Sequence, residues 1–353
     1  MKKLRLLLAI ILIFSGLLFI FSNDNGKAET TDDKLSNIGY SKEQIETIKN
    51  KLSIENIDYL LTLSYDETYI KIMENENFKN EKLKSYIDYQ KNNQAPTDDT
   101  ILLVNADINI EYNEKLAALI SEKYYKENNF DRYYNYLLDN PDLSTTEVVT
   151  NINSNLDYDY YTTDYLTDLK KDNLLIVNKY YKLESDYVPS DLVHITSTYG
   201  GNGQYIKVEA FEEYKRMHTD MKVLGLNLLV KSSYRSYTYQ TNLYNNYVAR
   251  DGRANADKYS ARPGYSEHQT GLAIDVGTPT TSDLGDFLYT NEYEWMMQNA
   301  HKYGFILRYP EDSIHITGYM YEPWHFRYVG VEAATYIKEN NLTYEEYYEY
   351  FVK

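Results

Sequence analysis

The sequence predicts an α+β fold for residues 171–340, preceded by a helix-rich module at residues 37–170. In residues 171–340, segments with helical spacing of apolar residues and short strand-like runs are mixed without regular alternation. That mixture favours a mostly antiparallel sheet flanked by helices over a parallel α/β sheet, in which strands and helices would alternate. In residues 37–170 the spacing is mostly helical. A domain boundary is therefore expected near residue 170.

Composition narrows the classes of function. The chain has 353 residues, of which 43% are hydrophobic, and a formal net charge of −17. The length predicts two folded parts and a tail, and the hydrophobic content is sufficient for a core. The negative charge argues against nucleic acid and against an anionic membrane surface as partners. The absence of cysteine excludes disulfides, thiolate metal sites and cysteine nucleophiles.

The first 22 residues have the pattern of a membrane anchor or signal segment. Two lysines and an arginine precede an apolar run at residues 6–21. A helix of that length spans about 24 Å, which is short for a membrane helix but long for a signal-peptide core. The basic flank predicts that the rest of the chain lies outside the cytoplasm. A single-pass anchor is favoured because no clean cleavage site follows directly; cleavage would instead yield a secreted protein.

Residues 23–36 are polar and charged, and they predict a tether to the helix-rich module. The module has a weak internal repeat with an offset of about fifty residues, in the range of helical repeat units. Asn77-Phe78 and Asn129-Phe130 each lead into a helical stretch that is followed by proline and a second apolar run. The module contains no histidine, which disfavours a metal site there. We expect it to be a small helical module with a spacer or positioning role, and not a second enzyme.

The elements of the second half are expected in the following order. Residues 174–178 predict a strand, residues 209–221 a helix, residues 226–231 a strand and residues 237–247 a helix. A further helix around Trp295 is expected to end at Gly304, and a strand at residues 305–309 follows it. Residues 331–338 predict a closing helix, and residues 341–353 a C-terminal tail.

Residues 266–275 and 322–325 together supply the groups of a catalytic metal site. They include His268, Asp275 and His325, which are donor types for zinc, and a glutamate able to take the proton of a water molecule. Ligands about 2 Å from one ion must lie within about 3 to 4 Å of each other. Seven positions along a straight helix would separate His268 from Asp275 by roughly 10 Å. One helix therefore cannot hold both ligands.

A turn followed by a strand could bring His268 and Asp275 close enough to bind one ion. Gly271 interrupts the run, and apolar residues then alternate from position 272, so that Asp275 faces away from the core. A second alternating run follows Pro323, which favours an extended conformation before it. Two neighbouring strands would bring Asp275 and His325 together, with His268 arriving from the turn.

Three segments resemble the VanY-type D-alanyl-D-alanine carboxypeptidases. They are Ser233-Tyr234-Arg235-Ser236 with Gln240, the run SEHQTGLAID at 266–275, and EPWHFRY at 322–328. This family of zinc peptidases trims peptidoglycan stems and shares a fold with VanX-type dipeptidases and the hedgehog domain. The resemblance covers roughly residues 174–337, and it implies a zinc-peptidase domain at residues 171–340.

The resemblance also implies a role for each matching residue. His268, Asp275 and His325 match the ligands of one zinc ion, and Glu322 matches the catalytic base. Arg235 matches an arginine expected beside the scissile carbonyl or the substrate carboxylate. The positions expected near bound substrate are Gln240, Ser266 and Trp324, with Tyr265 added for its place beside the motif.

Structural roles are the alternative for each single residue. Asp275 could be a turn residue, Glu322 a surface acid, and Arg235 part of an ordinary salt bridge. Trp324 could simply pack in the core. The remaining histidines are expected to be structural; they are His194, His218, His301 and His315.

The resemblance implies a membrane-anchored zinc D,D-carboxypeptidase in the bacterial cell envelope, with its catalytic domain outside. It would remove the terminal D-alanine from peptidoglycan stem pentapeptides by metal-activated water. One alternative is an L,D-carboxypeptidase acting on stem tetrapeptides, because related enzymes share every quoted motif. Another is a non-catalytic, zinc-containing module that binds the cell wall. Glu322 disfavours this last alternative, since a purely structural zinc needs no base.

Overall fold

The computed structural model describes residues 29–201 and 203–353. They form two compact units, one ending at Ile120 and one running from Ser121 to Lys353. This division lies earlier in the chain than the boundary expected near residue 170. The expected anchor or signal segment, residues 1–22, lies outside the described residues. Among the helices that are described, none has the length and apolar character needed to cross a membrane.

From residue 29 to Ile120, the first unit is built of helices without strands. Thr30 and Asp33 form a capping box, in which each side chain binds the other residue's backbone N–H, so the chain is helical from Thr31. The tether expected at residues 23–36 is therefore wrong for its last six positions. The helices are α1 (Thr31–Ile38), α2 (Lys42–Lys51), α3 (Ile54–Leu60), α4 (Glu67–Glu74), α5 (Leu83–Asn93), α6 (Thr97–Asn105) and α7 (Glu114–Ile120).

The second unit mixes helices and strands, as expected for this half of the chain. Its helices are α8 (Phe130–Asp139), α9 (Thr145–Asn153), α10 (Val208–Val223), α11 (Tyr237–Asp251), α12 (Arg253–Ala256), α13 (Asn291–Asn299), α14 (Ile314–Thr317), α15 (Val331–Asn340) and α16 (Tyr344–Phe351). Its strands are β1 (Tyr165–Leu166), β2 (Tyr181–Lys182), β3 (Leu192–His194), β4 (Tyr205–Lys207), β5 (Leu229–Ser232), β6 (Ala273–Gly277), β7 (Phe305–Leu307) and β8 (His325–Tyr328).

The internal repeat is present as a repeated hydrogen-bonding pattern, with one copy in each unit. Tyr86 Oη donates to Asn105 Oδ1 at 2.6 Å, and Tyr133 Oη donates to Asn153 Oδ1 at 2.6 Å. Each tyrosine oxygen also accepts a backbone N–H from seven positions upstream, at 3.2 Å in both copies. Tyr86 and Tyr133 are thus equivalent residues, and the alignment of Phe78 with Phe130 suggested by the sequence is wrong.

Strands β5, β6, β8 and β7 form, in that order, a four-stranded sheet in which every neighbouring pair is antiparallel. Two smaller sheets, β1–β2 and β3–β4, lie apart from it. Ile274 and Val276 of β6 are fully buried in one hydrophobic core with residues of α10 and α13. Asp275 lies between them in sequence and therefore projects from the opposite face of the sheet.

The strand expected at residues 174–178 is absent. Residues Leu169–Leu174 form a 3-10 helix, and the buried residues that follow have no partner strand. Their carbonyls bind side chains instead. Arg327 Nη2 donates to Leu175 O at 2.7 Å, and Thr167 Oγ1 donates to Ile176 O at 2.8 Å.

The C-terminal tail expected at residues 341–353 is helix α16. Thr343 and Glu346 form a capping box at its start. Tyr344 and Tyr348, four positions apart, are buried in a second core together with Ile337 of α15. The chain end is therefore an integral part of the second unit.

Candidate active site

The sheet brings the three expected ligands together. Strands β6 and β8 pair with Asp275 opposite His325. A 3-10 turn at Glu267–Thr270 leads into β6 and carries His268. Gly271 ends this turn with φ of 71°, and a Cβ there would lie 2.7 Å from Leu192 Cδ2. The left-handed φ favours glycine at this position, and a Cβ would also force the Leu192 side chain to move.

Two of the three distances between the ligand atoms are those that one metal ion requires. Asp275 Oδ1 lies 3.4 Å from His268 Nε2 and 3.2 Å from His325 Nδ1. One donor atom from each residue lies within 4.8 Å of the others. Ligands bound tetrahedrally to zinc at about 2 Å would be roughly 3.3 Å apart. The three side chains are also buried, with exposures of 2 to 5%.

The atoms of His268 and Asp275 that do not face the triad are already engaged. His268 Nδ1 lies 2.7 Å from Ser233 O and donates its proton there, which leaves Nε2 as an acceptor. Asp275 Oδ2 accepts from Arg235 Nη2 at 2.5 Å. Asp275 Oδ1 is buried and has no hydrogen-bond partner among the described residues. Such outer contacts orient metal ligands, so the triad fits a divalent ion.

The charge around the triad also favours a cation. Burial lowers the pKa of His325, but three nearby carboxylates outweigh burial and raise that pKa well above its usual value. Burial lowers the pKa of His268 to about 4, so its ring is neutral at pH 7 and able to ligate. The three carboxylates are those of Asp275, Glu267 and Glu322.

Glu322 lies beside the triad. Its Oε2 is 3.3 Å from His325 Nδ1, and the residue is only 6% exposed. Burial raises the pKa of the Glu322 carboxyl. A carboxylate with a raised pKa next to a metal site is suited to accept and return a proton near neutral pH.

A cavity of about 310 Å³ opens onto these groups. Arg235, Gln240, Ser266 and Trp324 line it, as expected. Tyr265 is not among the lining residues, and its place near substrate stays a prediction. Its ring packs edge-on against another tyrosine, with centroids 4.9 Å apart.

Several lining residues were not anticipated from the sequence. The ring of Tyr309 lies 4.9 Å from that of His325 and 4.7 Å from that of Tyr319. Both tyrosines line the cavity. Tyr319 precedes Glu322 by three positions, and this closeness to the motif was the one available signal. Glu267 also lines the cavity. The motif predicted a role for its neighbour His268 but none for Glu267.

The ring of Tyr319, which forms part of the cavity wall, packs against the buried side chain of Lys179. Lys179 Nζ lies 4.4 Å from the Tyr319 ring centroid and 4.6 Å from that of Tyr160, and it donates to Asp257 O at 2.6 Å. Gly318 makes this packing possible, because a Cβ there would lie 2.8 Å from Lys179 Cδ. Burial lowers the pKa of Lys179 to about 8.

Known proteins with similar sequences identify the family. The family described as VanY, D-alanyl-D-alanine carboxypeptidase, matches residues 203–331. Over 204 residues, the chain is 42% identical to the putative carboxypeptidase YodJ of Bacillus subtilis, covering 53% of this chain and 75% of that protein. The chain belongs to the VanY family. It is therefore a peptidase of the carboxypeptidase type, and the alternative of a non-catalytic module is not supported.

Two other proteins are similar over about half of the chain. The bifunctional D-Ala-D-Ala dipeptidase and carboxypeptidase VanXYC of Enterococcus gallinarum is 35% identical over 186 residues, which cover 51% of this chain and 95% of that protein. A solved structure of the LdcB LD-carboxypeptidase is 39% identical and matches with a TM-score of 0.49, covering 54% of this chain and 94% of that one.

Replacing Lys179 by methionine should stabilise the protein at pH 7 by about 1 to 3 kcal/mol, because methionine fills the same space without a buried charge. The pKa of about 8 lies below the usual 10.5, so the cost of burying the charge is complete below pH 8 and disappears towards pH 10.5. The gain should therefore shrink as the pH rises from 7 towards 10. Urea unfolding at several pH values measures it.

The matched control for this series is Lys182→Met, which removes a partly exposed lysine paired with Asp164. It should give little change in stability. A gain in the Lys179 variant that stays constant across the pH series would contradict the assignment of a buried, destabilising charge.

Replacing Asp275 by alanine should lower the metal content of the purified protein from about one divalent ion per chain to a small fraction of that. The substitution removes the oxygen that faces both histidines and leaves the Arg235 charge unpaired beside them. Elemental analysis after dialysis against trace zinc measures the content. His194→Ala, at an exposed position on β3, serves as the control and should bind normally. Normal metal content in the Asp275 variant would remove Asp275 from the ligand set.

Proposed function

We propose that this protein is a zinc-dependent D,D-carboxypeptidase that removes the terminal D-alanine from peptidoglycan stem pentapeptides. One observation carries the proposal: the His268, Asp275 and His325 triad and Glu322 face a single cavity in a chain of the VanY family. The 35% identity to an enzyme described as acting on D-Ala-D-Ala supports the same class of substrate.

The donor set supports zinc as the ion. Two imidazole nitrogens and one carboxylate oxygen are the three protein ligands of many catalytic zinc sites, which keep a fourth position open. In this proposal the ion would be held by His268 through Nε2, by His325 through Nδ1 and by Asp275 through Oδ1. A bound zinc ion would supply the Lewis acidity that lowers the pKa of water to about 7.

Glu322 is the proposed base. Its carboxylate lies next to a ligand nitrogen, at 3.3 Å from His325 Nδ1, and is therefore placed to take the proton of the attacking water. The raised pKa lets the same carboxyl return that proton to the leaving amine of D-alanine. Burial keeps bulk water from competing for either transfer.

Arg235 has two proposed roles. Its Nη2 holds Asp275 Oδ2, and its Nε donates to Ser232 Oγ at 3.0 Å. Since the side chain also lines the cavity, the rest of the guanidinium is placed to attract the substrate carboxylate or the charge that develops on the scissile carbonyl. Stabilisation of the charge that develops on the scissile carbonyl is worth roughly 3 to 4 kcal/mol.

Gln240 is proposed to bind the peptide backbone of the substrate. Its Nε2 donates to Ala261 O at 2.8 Å, which fixes the direction of the amide. Its Oε1 is buried and lacks a hydrogen-bond partner among the described residues. Since the residue lines the cavity, we propose that this oxygen accepts a peptide N–H once substrate is bound. Ser266 and Trp324 are proposed to contact the rest of the substrate.

An assay of the purified protein with synthetic stem peptides tests the proposal. Mass spectrometry should detect D-alanine released from the pentapeptide, with a tetrapeptide remaining. Glu322→Gln should lower kcat by about 10²- to 10⁴-fold while the bound zinc is retained, because it removes the proton acceptor and leaves the ligands in place. Glu311→Gln, at an exposed acidic residue, is the control and should be fully active.

The same assay separates the alternatives. Release from the tetrapeptide alone would make the enzyme an L,D-carboxypeptidase, since the ligands and base would serve either reaction. Absence of release from both peptides by zinc-loaded protein would contradict both versions.

A further inference from the structure

Four buried charges form a cluster on the Nε2 side of His325. Glu267 Oε1 accepts from Arg308 Nε at 2.8 Å and from Arg327 Nη1 at 2.9 Å. Arg308 also donates to both carboxylate oxygens of Glu345, at 2.8 and 2.6 Å. All four residues are at most 2% exposed. Two arginines and two glutamates balance, which makes this buried arrangement tolerable.

Two atoms in this region are left without a hydrogen-bond partner among the described residues: Glu267 Oε2 and His325 Nε2. They lie 3.8 Å apart, and both are buried. An unpaired buried polar atom is costly, whereas a shift of roughly 1 Å would bring the pair to hydrogen-bonding distance. The other ring nitrogen, Nδ1, is the one that faces Asp275.

The direction of this contact follows from charge. With two guanidinium groups on its other oxygen, Glu267 is an ionised carboxylate and can only accept hydrogen bonds. His325 must therefore supply the proton from Nε2, and in the metal-bound protein Nδ1 would be the unprotonated nitrogen that faces the triad. His268 has the opposite arrangement, because its Nδ1 donates to Ser233 O.

We propose that Glu267 is a positioning residue that accepts the Nε2–H of His325 and so fixes the ring with Nδ1 towards the metal, while Arg308 and Glu345 hold Glu267 in place. This inference rests on the metal site of the proposed function. A carboxylate behind a ligating histidine fixes its tautomer and raises its basicity as a ligand.

The cluster also connects the site to helix α16. Glu345 lies beyond residues 203–331, the region that matches the family. Glu345 balances the charge of Arg308. Without Glu345, Glu267 would be the sole acidic partner of Arg308 among the described residues, and Arg308 would compete with Arg327 for it. The C-terminal helix thus contributes indirectly to the geometry of His325.

Helix α16 provides a matched control. Glu349 is on the same helix, is 5% exposed and forms salt bridges with Lys126 and Lys353. None of its ion pairs within the described residues involves Glu267 or Arg308. Glu345→Gln and Glu349→Gln therefore remove equivalent buried charges, and only the first should affect the metal site.

The first test reads the histidine tautomers in the zinc-loaded, full-length protein. Two-bond proton–nitrogen correlation spectra of protein with ¹⁵N-labelled histidine should show His325 protonated at Nε2 and metal-bound at Nδ1, and His268 the reverse. The spectra need no variant, so they decide the question even if Glu267 variants fail to fold. A proton on Nδ1 of His325, or zinc on its Nε2, would overturn the inference.

The second test measures zinc affinity by competition with a chromophoric chelator, together with kcat and KM on the pentapeptide. Glu267→Gln should weaken zinc binding by about 10- to 100-fold, the usual effect of removing a partner behind a ligand. Glu345→Gln should act in the same direction but less strongly, and Glu349→Gln should leave zinc affinity unchanged. Equal zinc affinity in the parent and the Glu267 variant would contradict the proposal.

The parent protein separates this inference from the proposed function. A parent that neither binds zinc nor releases D-alanine would defeat the proposed function. A parent that does both, but carries His325 in the other tautomer, would defeat only the role of Glu267.

Discussion

The register between strands β6 and β8 is the constraint on which the site depends. It sets Asp275 directly opposite His325 and Ile274 opposite Phe326. A slip of one residue would turn Asp275 and His325 into the core and expose the apolar residues beside them. The burial of Ile274 and Phe326 in the hydrophobic core therefore holds the register, and through it the positions of the two ligands. Stability and site geometry have a common origin here.

The other face of β6 is unusually rich in buried charge. Asp275 pairs with Arg235, and Glu267 with Arg308 and Arg327. Burying charges is costly unless each has a partner with good geometry. The Asp275 and Glu267 oxygens that do not face the triad or His325 both have such partners. The other two oxygens, Asp275 Oδ1 and Glu267 Oε2, have no hydrogen-bond partner among the described residues.

The alternation of apolar residues was enough to predict that Asp275 leaves the core and that His325 begins a neighbouring strand. The requirement that the ligands lie close to one ion then predicted that the two strands are neighbours, and the resemblance implied the same set of ligands. Tyr265 was placed near substrate by adjacency alone, and that placement stays a prediction. The strand expected at residues 174–178 failed because its carbonyls bind Arg327 and Thr167, and these partners are set by the tertiary fold.

Two errors at chain boundaries were avoidable. Capping boxes predict a helix at both places where a tether and a tail were expected. They are formed by Thr30 with Asp33 and by Thr343 with Glu346. The role proposed for Glu267, by contrast, could not be predicted from the residues around it in the sequence. Nothing local distinguishes this residue from a surface glutamate, and its environment is created by Arg308, Arg327 and Glu345, which are remote in sequence.

The central claim is that a turn histidine, a strand aspartate and a later strand histidine share one ion. X-ray absorption at the zinc edge tests it most directly in the loaded protein. The account predicts about four nitrogen and oxygen ligands at about 2.0 to 2.1 Å, with the outer-shell scattering of two imidazole rings. A zinc spectrum that lacks imidazole scattering, in folded and active protein, would contradict it.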